Sequence, residues 1–244
     1  MRIVVATRNR HKLKELERIL AEHRLEPLPE GVELPPETGA TFAENALIKA
    51  RAAAAALGVA VLGEDSGIEA EALGGAPGIR SARFASNGEQ NASDQANNEK
   101  LLALCPPGSG LRYVCALAYV DPQRGVEEVF WGRCEGRLAA APRGAGGFGY
   151  DPLFIPLEQE GERTIAELEP REKDRISHRG KAARAFAAYL KEVDRGAGGN
   201  GDPHQGVAGV AGEQGDHRDN QAGGNGGKPG DPGELHRENL SSGG

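Results

Sequence analysis

Long apolar runs are missing from this 244-residue chain. No stretch approaches the ~20 residues that span a bilayer as a helix, so no membrane span is expected. The first apolar run, residues 3–6, is shorter than the roughly 7–15 residues of a signal-peptide core and reads as a strand. Cysteine is scarce. Cys105, Cys115 and Cys134 are odd in number, widely spaced and without a CxxC pair, which gives no disulfide framework and points to a reduced, cytoplasmic setting. A basic surplus is also lacking, with 29 Lys+Arg against 36 Asp+Glu and a formal charge of −7. That balance argues against a general nucleic-acid binder. It leaves a nucleotide substrate open, since a few placed cations suffice.

Glycine is abundant and unevenly placed. Residues 196–244 hold 16 of the 36 glycines, no Phe, Tyr or Trp, and four residues from Val, Leu and Ile. Such a segment cannot bury enough apolar surface to offset the entropy of ordering its backbone, so disorder is expected there. It also carries seven acids and three bases, so −4 of the −7 belongs to it. The working domain is expected over residues 1–195, long enough for a sizeable core.

Along that domain, residues 3–6 form a strand that ends at the polar turn 7–12. A helix follows, with Leu13, Leu16, Ile19 and Leu20 at helical spacing. Four prolines mark residues 27–36 as a loop. Thr41 and Glu44 fit a capping box that opens an Ala-rich helix ended by Gly58. Residues 59–62 read as a strand, 94–104 as a helix, and 111–120 with 127–133 as an antiparallel hairpin. A single helix, with a separate turn as an option before it, is expected within residues 173–193. Strands and helices alternate early and strands pair locally later, the pattern of an α/β fold with a mixed sheet.

Four polar clusters carry chemistry, and each has a plainer reading beside the sharp one. Thr7, Arg8, Asn9, Arg10, His11 and Lys12 supply donors at a helix start, suited to phosphate; the plainer reading is a solvated turn. The turn is neither a Walker A loop nor a GxGxxG motif. Glu64, Asp65, Ser66 and Gly67 follow an apolar run, where ligand sites gather in open α/β sheets. Adjacent carboxylates there suit Mg²⁺, and an Asp-Ser-Gly turn is the alternative. Glu44 is accounted for by the capping box, whereas Glu37 and Lys49 have no such duty and can serve metal and phosphate. Phe148, Gly149, Tyr150 and Asp151 lie in a glycine-rich loop that could stack on and read a base, although isolated aromatics more often pack in the core. Lys173, Ser177, His178 and Arg179 concentrate donors near a helix start.

Taken in order, these segments resemble one family. The residues are Thr7, Asn9 and Lys12; Glu37, Thr38, Gly39, Thr41, Phe42, Glu44, Asn45 and Ala46; Glu64, Asp65, Ser66 and Gly67; Gly74, Gly75, Ala76, Pro77, Gly78, Ile79, Ser81, Ala82 and Arg83; residues 146–152; and residues 177–180. They are similar to the inosine triphosphate pyrophosphatases over about residues 2–193. The resemblance implies an elongated, two-lobed α/β fold with a long mixed sheet, an active cleft between the lobes and a homodimer. It implies hydrolysis of dITP, ITP and XTP to monophosphate and pyrophosphate with Mg²⁺. By position, Asp65 is then the general base and a metal ligand, Glu37 assists at the metal, and residues 7–12 with Lys49 hold the triphosphate. Ser66 touches substrate, and residues 148–151, Lys173, His178 and Arg179 surround base and sugar. Arg8 stands where the family commonly has Gly, either as an extra phosphate contact or pointing to solvent. A pyrophosphatase for modified pyrimidine or methylated nucleotides, and a nucleotide-binding module without turnover, are the alternatives.

Overall fold

The computed structural model describes residues 1–86 and 90–197. The elements are β1 (Arg2–Ala6), α1 (Arg10–Ile19), β2 (Arg24–Pro27), α2 (Phe42–Leu57), β3 (Val61–Ala70), α3 (Asp94–Leu104), β4 (Gly110–Asp121), β5 (Val126–Leu138), β6 (Phe154–Pro156), α4 (Pro170–Ile176) and α5 (His178–Ala197), with short 3-10 helices between them. One six-stranded mixed sheet has the order β2-β1-β3-β4-β5-β6. β1 is parallel to β2 and to β3, and the pairs from β3 to β6 are antiparallel.

Strand side chains alternate between faces, and β3 shows how the core is divided. On one face Val61 joins Val4, Ala6, Ala116 and Ala118 under the alanines of α2. On the other face Leu62 joins Ile3, Val5, Leu117 and Tyr119 under α1 and α5. Farther along that second face, Ile68 and Ala70 enter a separate core with Leu101, Tyr113, Leu153 and Phe154. Polar Glu64 and Ser66 stand between the two cores. Phe186 and Leu190, expected on the apolar stripe of the last helix, are buried at 0% and 3% exposure; burying such a side chain contributes about 1.5–3 kcal/mol.

The Thr41 cap behaves as its spacing predicts: its hydroxyl accepts the Glu44 N–H, and Glu44 accepts the N–H groups of Ala40 and Thr41. Other boundaries differ from expectation. β2 and β6 are new, being four and three residues long, too short to show an alternating pattern. The strand expected to stop at Leu62 runs on through Glu64, Asp65, Ser66 and Gly67 to Ala70, so the turn reading of that motif is wrong. The single late helix is two, broken at Ser177, whose backbone is extended (ψ 154°) and whose hydroxyl accepts the Gly180 N–H at 3.0 Å. α5 continues to Ala197, two residues past the expected domain end. The disorder expected over 196–244 falls, from residue 198 on, outside the described residues. Among the described residues no helix is long and apolar enough to cross a membrane.

Candidate active site

The site is built on β3. β1 pairs with β3 only as far as Ala6 opposite Gly63, whereas β4 follows it to Ala70 opposite Leu111. From Glu64 onward one edge of β3 therefore has no β1 beside it, and the 7–12 turn leaves the sheet at that point. The carboxyl end that matters for a ligand crevice belongs to β1 rather than to β3.

On the α2 face, glycines flank Asp65. A Cβ on Gly63 would lie 2.2 Å from the Ala46 carbonyl oxygen, and one on Gly67 would lie 2.4 Å from both the Gly78 carbonyl and the Ser81 hydroxyl. Their bare backbones let α2 and the 3-10 helix Gly78–Arg83 close on the strand on either side of Asp65. Asn45 donates to Asp65 Oδ2 at 3.2 Å, and Lys49 Nζ lies 3.5 Å from Oδ1 while also donating to Glu37. Burial pushes the Asp65 carboxyl up; Lys49 and Lys12 oppose this, and Glu37 and Glu64 add to it. Burial works against the Lys49 ammonium too, yet Asp65 and Glu37 outweigh it and hold its pKa above the ordinary lysine value.

On the opposite face every charge is matched. Lys12 Nζ lies 2.9 Å from Glu64 Oε2. Arg179 donates to Glu64 Oε1 (3.0 Å), to the Ser66 hydroxyl (3.1 Å) and to Glu15 Oε2 (2.5 Å). Lys173 bridges Glu15 and Asp151 at 2.6 Å each. Burial pushes Glu64 up, but Arg179 and Lys12 overcome it and hold the carboxyl well below the usual range. Glu15 is lowered in the same way by Arg179 and Lys173 against its own burial.

A cavity of about 130 Å³ opens on this face, between the two cores. It is smaller than the ~300–1,000 Å³ of a cleft that holds a whole ligand, and suits a flat ring. Phe148 forms one wall, with the Lys173 ammonium 4.9 Å and the Arg179 guanidinium 5.5 Å from its ring centroid. His178 is stacked on Tyr113 at 4.5 Å and 9°. Burial, then the Arg179 charge, push its pKa well below the ordinary value, so the ring is neutral and offers one donor and one acceptor.

A model of the Ham1 family matches residues 3–189. The chain belongs to the Ham1 family. A dITP/XTP pyrophosphatase of Frankia alni is 50% identical over 203 residues, spanning 79% of this chain and 98% of that protein. A HAM1 protein from Coxiella burnetii has a TM-score of 0.69 at 38% identity, covering 79% of this chain and 99% of that one. A nucleoside-triphosphatase / dITP/XTP pyrophosphatase from Mycobacterium abscessus has a TM-score of 0.59 at 44% identity, covering 79% and 100%.

Within this Ham1 chain most of the expected site residues meet. Asn9, Lys12, Ser66, Phe148, Gly149, Tyr150, Asp151, Lys173, His178 and Arg179 line the ring-sized cavity, and Asp65, Lys49 and Glu37 meet across the strand. Several individual readings change. Glu64 and Asp65 point to opposite faces, so this adjacent pair cannot share one metal ion. Arg8 is exposed, and its guanidinium donates to the carbonyls of Leu28 (2.9 Å), Pro29 (3.0 Å), Glu30 (3.3 Å) and Val32 (2.7 Å), fastening that loop. Arg10 and His11 are exposed, with His11 stacked on Phe148 at 5.2 Å.

Three of the N–H groups at the helix start are used internally. Asn9 Oδ1 takes those of His11 and Lys12, and the Thr7 hydroxyl takes that of Asn9. Those of Phe148 and Gly149 go to Asp151 and Asp94. Asp151 also accepts from Tyr113 at 3.2 Å, and Tyr150 packs in the core while donating to the Ser81 carbonyl at 2.8 Å. Gly147 makes room for this arrangement: its φ is +71°, and a Cβ would lie 2.1 Å from Asp151 Oδ2. Glu15, Asn45 and Tyr113 were not anticipated. Glu15 had a signal, since it sits three residues after Lys12 on one helix face. Among the described residues no group of three or more His, Cys, Asp or Glu is placed to hold a metal; Glu37 and Asp65 are a pair.

Proposed function

We propose that this chain hydrolyses deaminated purine nucleoside triphosphates (dITP, ITP and XTP) to the monophosphate and pyrophosphate, cleansing the nucleotide pool. The observation that carries the reading is the division of labour on β3. Beyond the end of β1, a buried carboxylate flanked by lysine stands on one face and a ring-sized, donor-lined cavity opens on the other. The base enters the cavity and stacks on Phe148, with Gly149, Tyr150 and Asp151 shaping the wall. His178, the third N–H of Lys173 and Arg179 face a 6-oxo group, and an adenine 6-amino group would leave such donors unpaired. The phosphates pass the free edge of β3, where Thr7, Asn9 and Lys12 stand on one side and Lys49 on the other. The exposed Arg10 and His11 add positive charge outside.

Asp65 takes a proton from the attacking water as the new P–O bond forms and the anhydride bond to the pyrophosphate breaks. A carboxylate raised by burial is suited to that task. Lys49 and Lys12 neutralise the polyanion. Glu37 and Asp65, two hard oxygen donors sharing Lys49, fit Mg²⁺ and are the residues that would hold it. When bound, Mg²⁺ supplies charge neutralisation at the phosphates. In this reading the enzyme is a homodimer, and it is cytoplasmic, in keeping with three free, buried cysteines.

A panel of triphosphates with pyrophosphate detection tests the reading. dITP, ITP and XTP should turn over far faster than ATP or dTTP, chelation should stop the reaction and Mg²⁺ should restore it. Equal rates on dTTP and dITP would overturn the substrate assignment.

A further inference from the structure

The 3-10 helix Gly78–Arg83 is fastened through one side and carries its cations on the other. Buried Ser81 accepts the Ile68 N–H at 2.8 Å and donates to the Gly78 carbonyl at 2.6 Å. Asn97 of α3 donates to the Ala82 carbonyl at 3.2 Å and accepts the Ala85 N–H at 2.8 Å. Three residues complete a turn of such a helix, so Arg80 and Arg83 share a face. Both line a cavity of about 860 Å³ together with Lys100, Glu37 and Thr38.

Among the described residues neither guanidinium has an ion-pair or hydrogen-bond partner. Elsewhere exposed arginines such as Arg18, Arg51 and Arg163 are paired with carboxylates. Lys100 spends one N–H on the Phe84 carbonyl at 2.6 Å and retains two. Among the described residues Glu37 is the one carboxylate in the lining, and Lys49 already pairs with it. The cavity is thus a cationic chamber on a rigid support, and Glu37 joins it to Lys49 and Asp65. Among the described residues none pairs with the guanidinium charge of Arg80 or Arg83.

We propose that the Arg80–Arg83 cavity is a binding site for pyrophosphate, either as the terminal part of the bound substrate or as the released product. The proposal rests on the hydrolytic reading above for its choice of ligand. Two planar guanidinium forks on one helix face suit the oxygens of two linked phosphates, and a cleft of one sign concentrates such an anion.

Calorimetric titration of the full chain with pyrophosphate, without nucleotide, tests the site directly. Binding should weaken tenfold or more in Arg80→Gln/Arg83→Gln, and orthophosphate should bind the wild type at least tenfold more weakly than pyrophosphate. Kinetics on dITP separate the two sources. A tenfold rise in the inhibition constant of pyrophosphate with KM unchanged assigns the site to product; a matching rise in KM assigns it to the substrate's terminal phosphates. Should the double variant fail to fold, Arg80→Gln alone, at an exposed position, is expected to weaken pyrophosphate about threefold. Pyrophosphate affinity within twofold of wild type would overturn the proposal. So would a changed oligomeric state with that affinity intact, which would assign the arginines to contact between copies. If dITP is not hydrolysed at all, the hydrolytic reading falls while the titration still decides the site.

Discussion

Glu64 and Asp65 are neighbours on one strand, exposed at 1% and 6%, and burial by itself would raise both carboxyls. Glu64 is instead held well below the usual range, while Asp65 is raised from its ordinary value. The difference comes from the face each occupies. Glu64 is in direct contact with two cations, Arg179 and Lys12, whereas Asp65 has only Lys49 in contact, shares it with Glu37, and is raised further by Glu37 and Glu64. Two adjacent acids of one chemical type thereby serve different ends. The matched one locks a buried network in place, and the under-matched one is left able to take a proton.

The largest expected effect falls on the Asp65 side. Asp65→Asn should lower kcat by about 10³-fold or more and leave the thermal melt nearly unchanged; normal pyrophosphate release would remove Asp65 from its role. Glu64→Gln should show the reverse emphasis. Breaking a buried pair costs about 3–5 kcal/mol, readable as a shift in the urea midpoint. If the two variants lost stability equally, the contrast between the faces would fail.

Acid offers a test without mutation. Glu15 and Glu64 have folded pKa values below their ordinary value of 4.5. Their contribution is complete above the unfolded value and is lost as pH falls through the folded ones. Urea unfolding free energy should therefore drop below about pH 4.5, and Glu64→Gln should flatten that drop. Next in size, Phe148→Ala should raise KM for dITP roughly tenfold, the worth of a stacked base at ~1–3 kcal/mol, with kcat changed much less; an unchanged KM would take Phe148 out of base binding. The smallest effect is expected from truncation after residue 197, with kcat within twofold. A large loss would bring the tail into catalysis.

Much of this site is legible from residue type and order. The Thr41 and Glu44 cap and the helix starting at Asp94 follow from local pattern, and the grouping of Lys173, His178 and Arg179 with residues 148–151 follows from the family resemblance. The partners of Arg8 and of the backbone N–H groups of residues 9, 11, 12, 148 and 149 were not legible because they are set by three-dimensional proximity. Arg8 reaches carbonyls 20 to 24 residues away, and Gly149 reaches Asp94 across 55. Glu15 reads as one more charged residue of an amphipathic helix until Arg179, 164 residues later, is placed beside it.

The sequence by itself determined most of the helices and longer strands, because capping and periodicity act over a few residues, and its resemblance to one family supplied the candidate participants. Only the tertiary structure decided what each participant does. Where β1 stops beside β3 fixes the crevice, the alternation of a continuous strand sends Glu64 and Asp65 to opposite faces, and their different cation partners give two adjacent carboxylates opposite proton affinities.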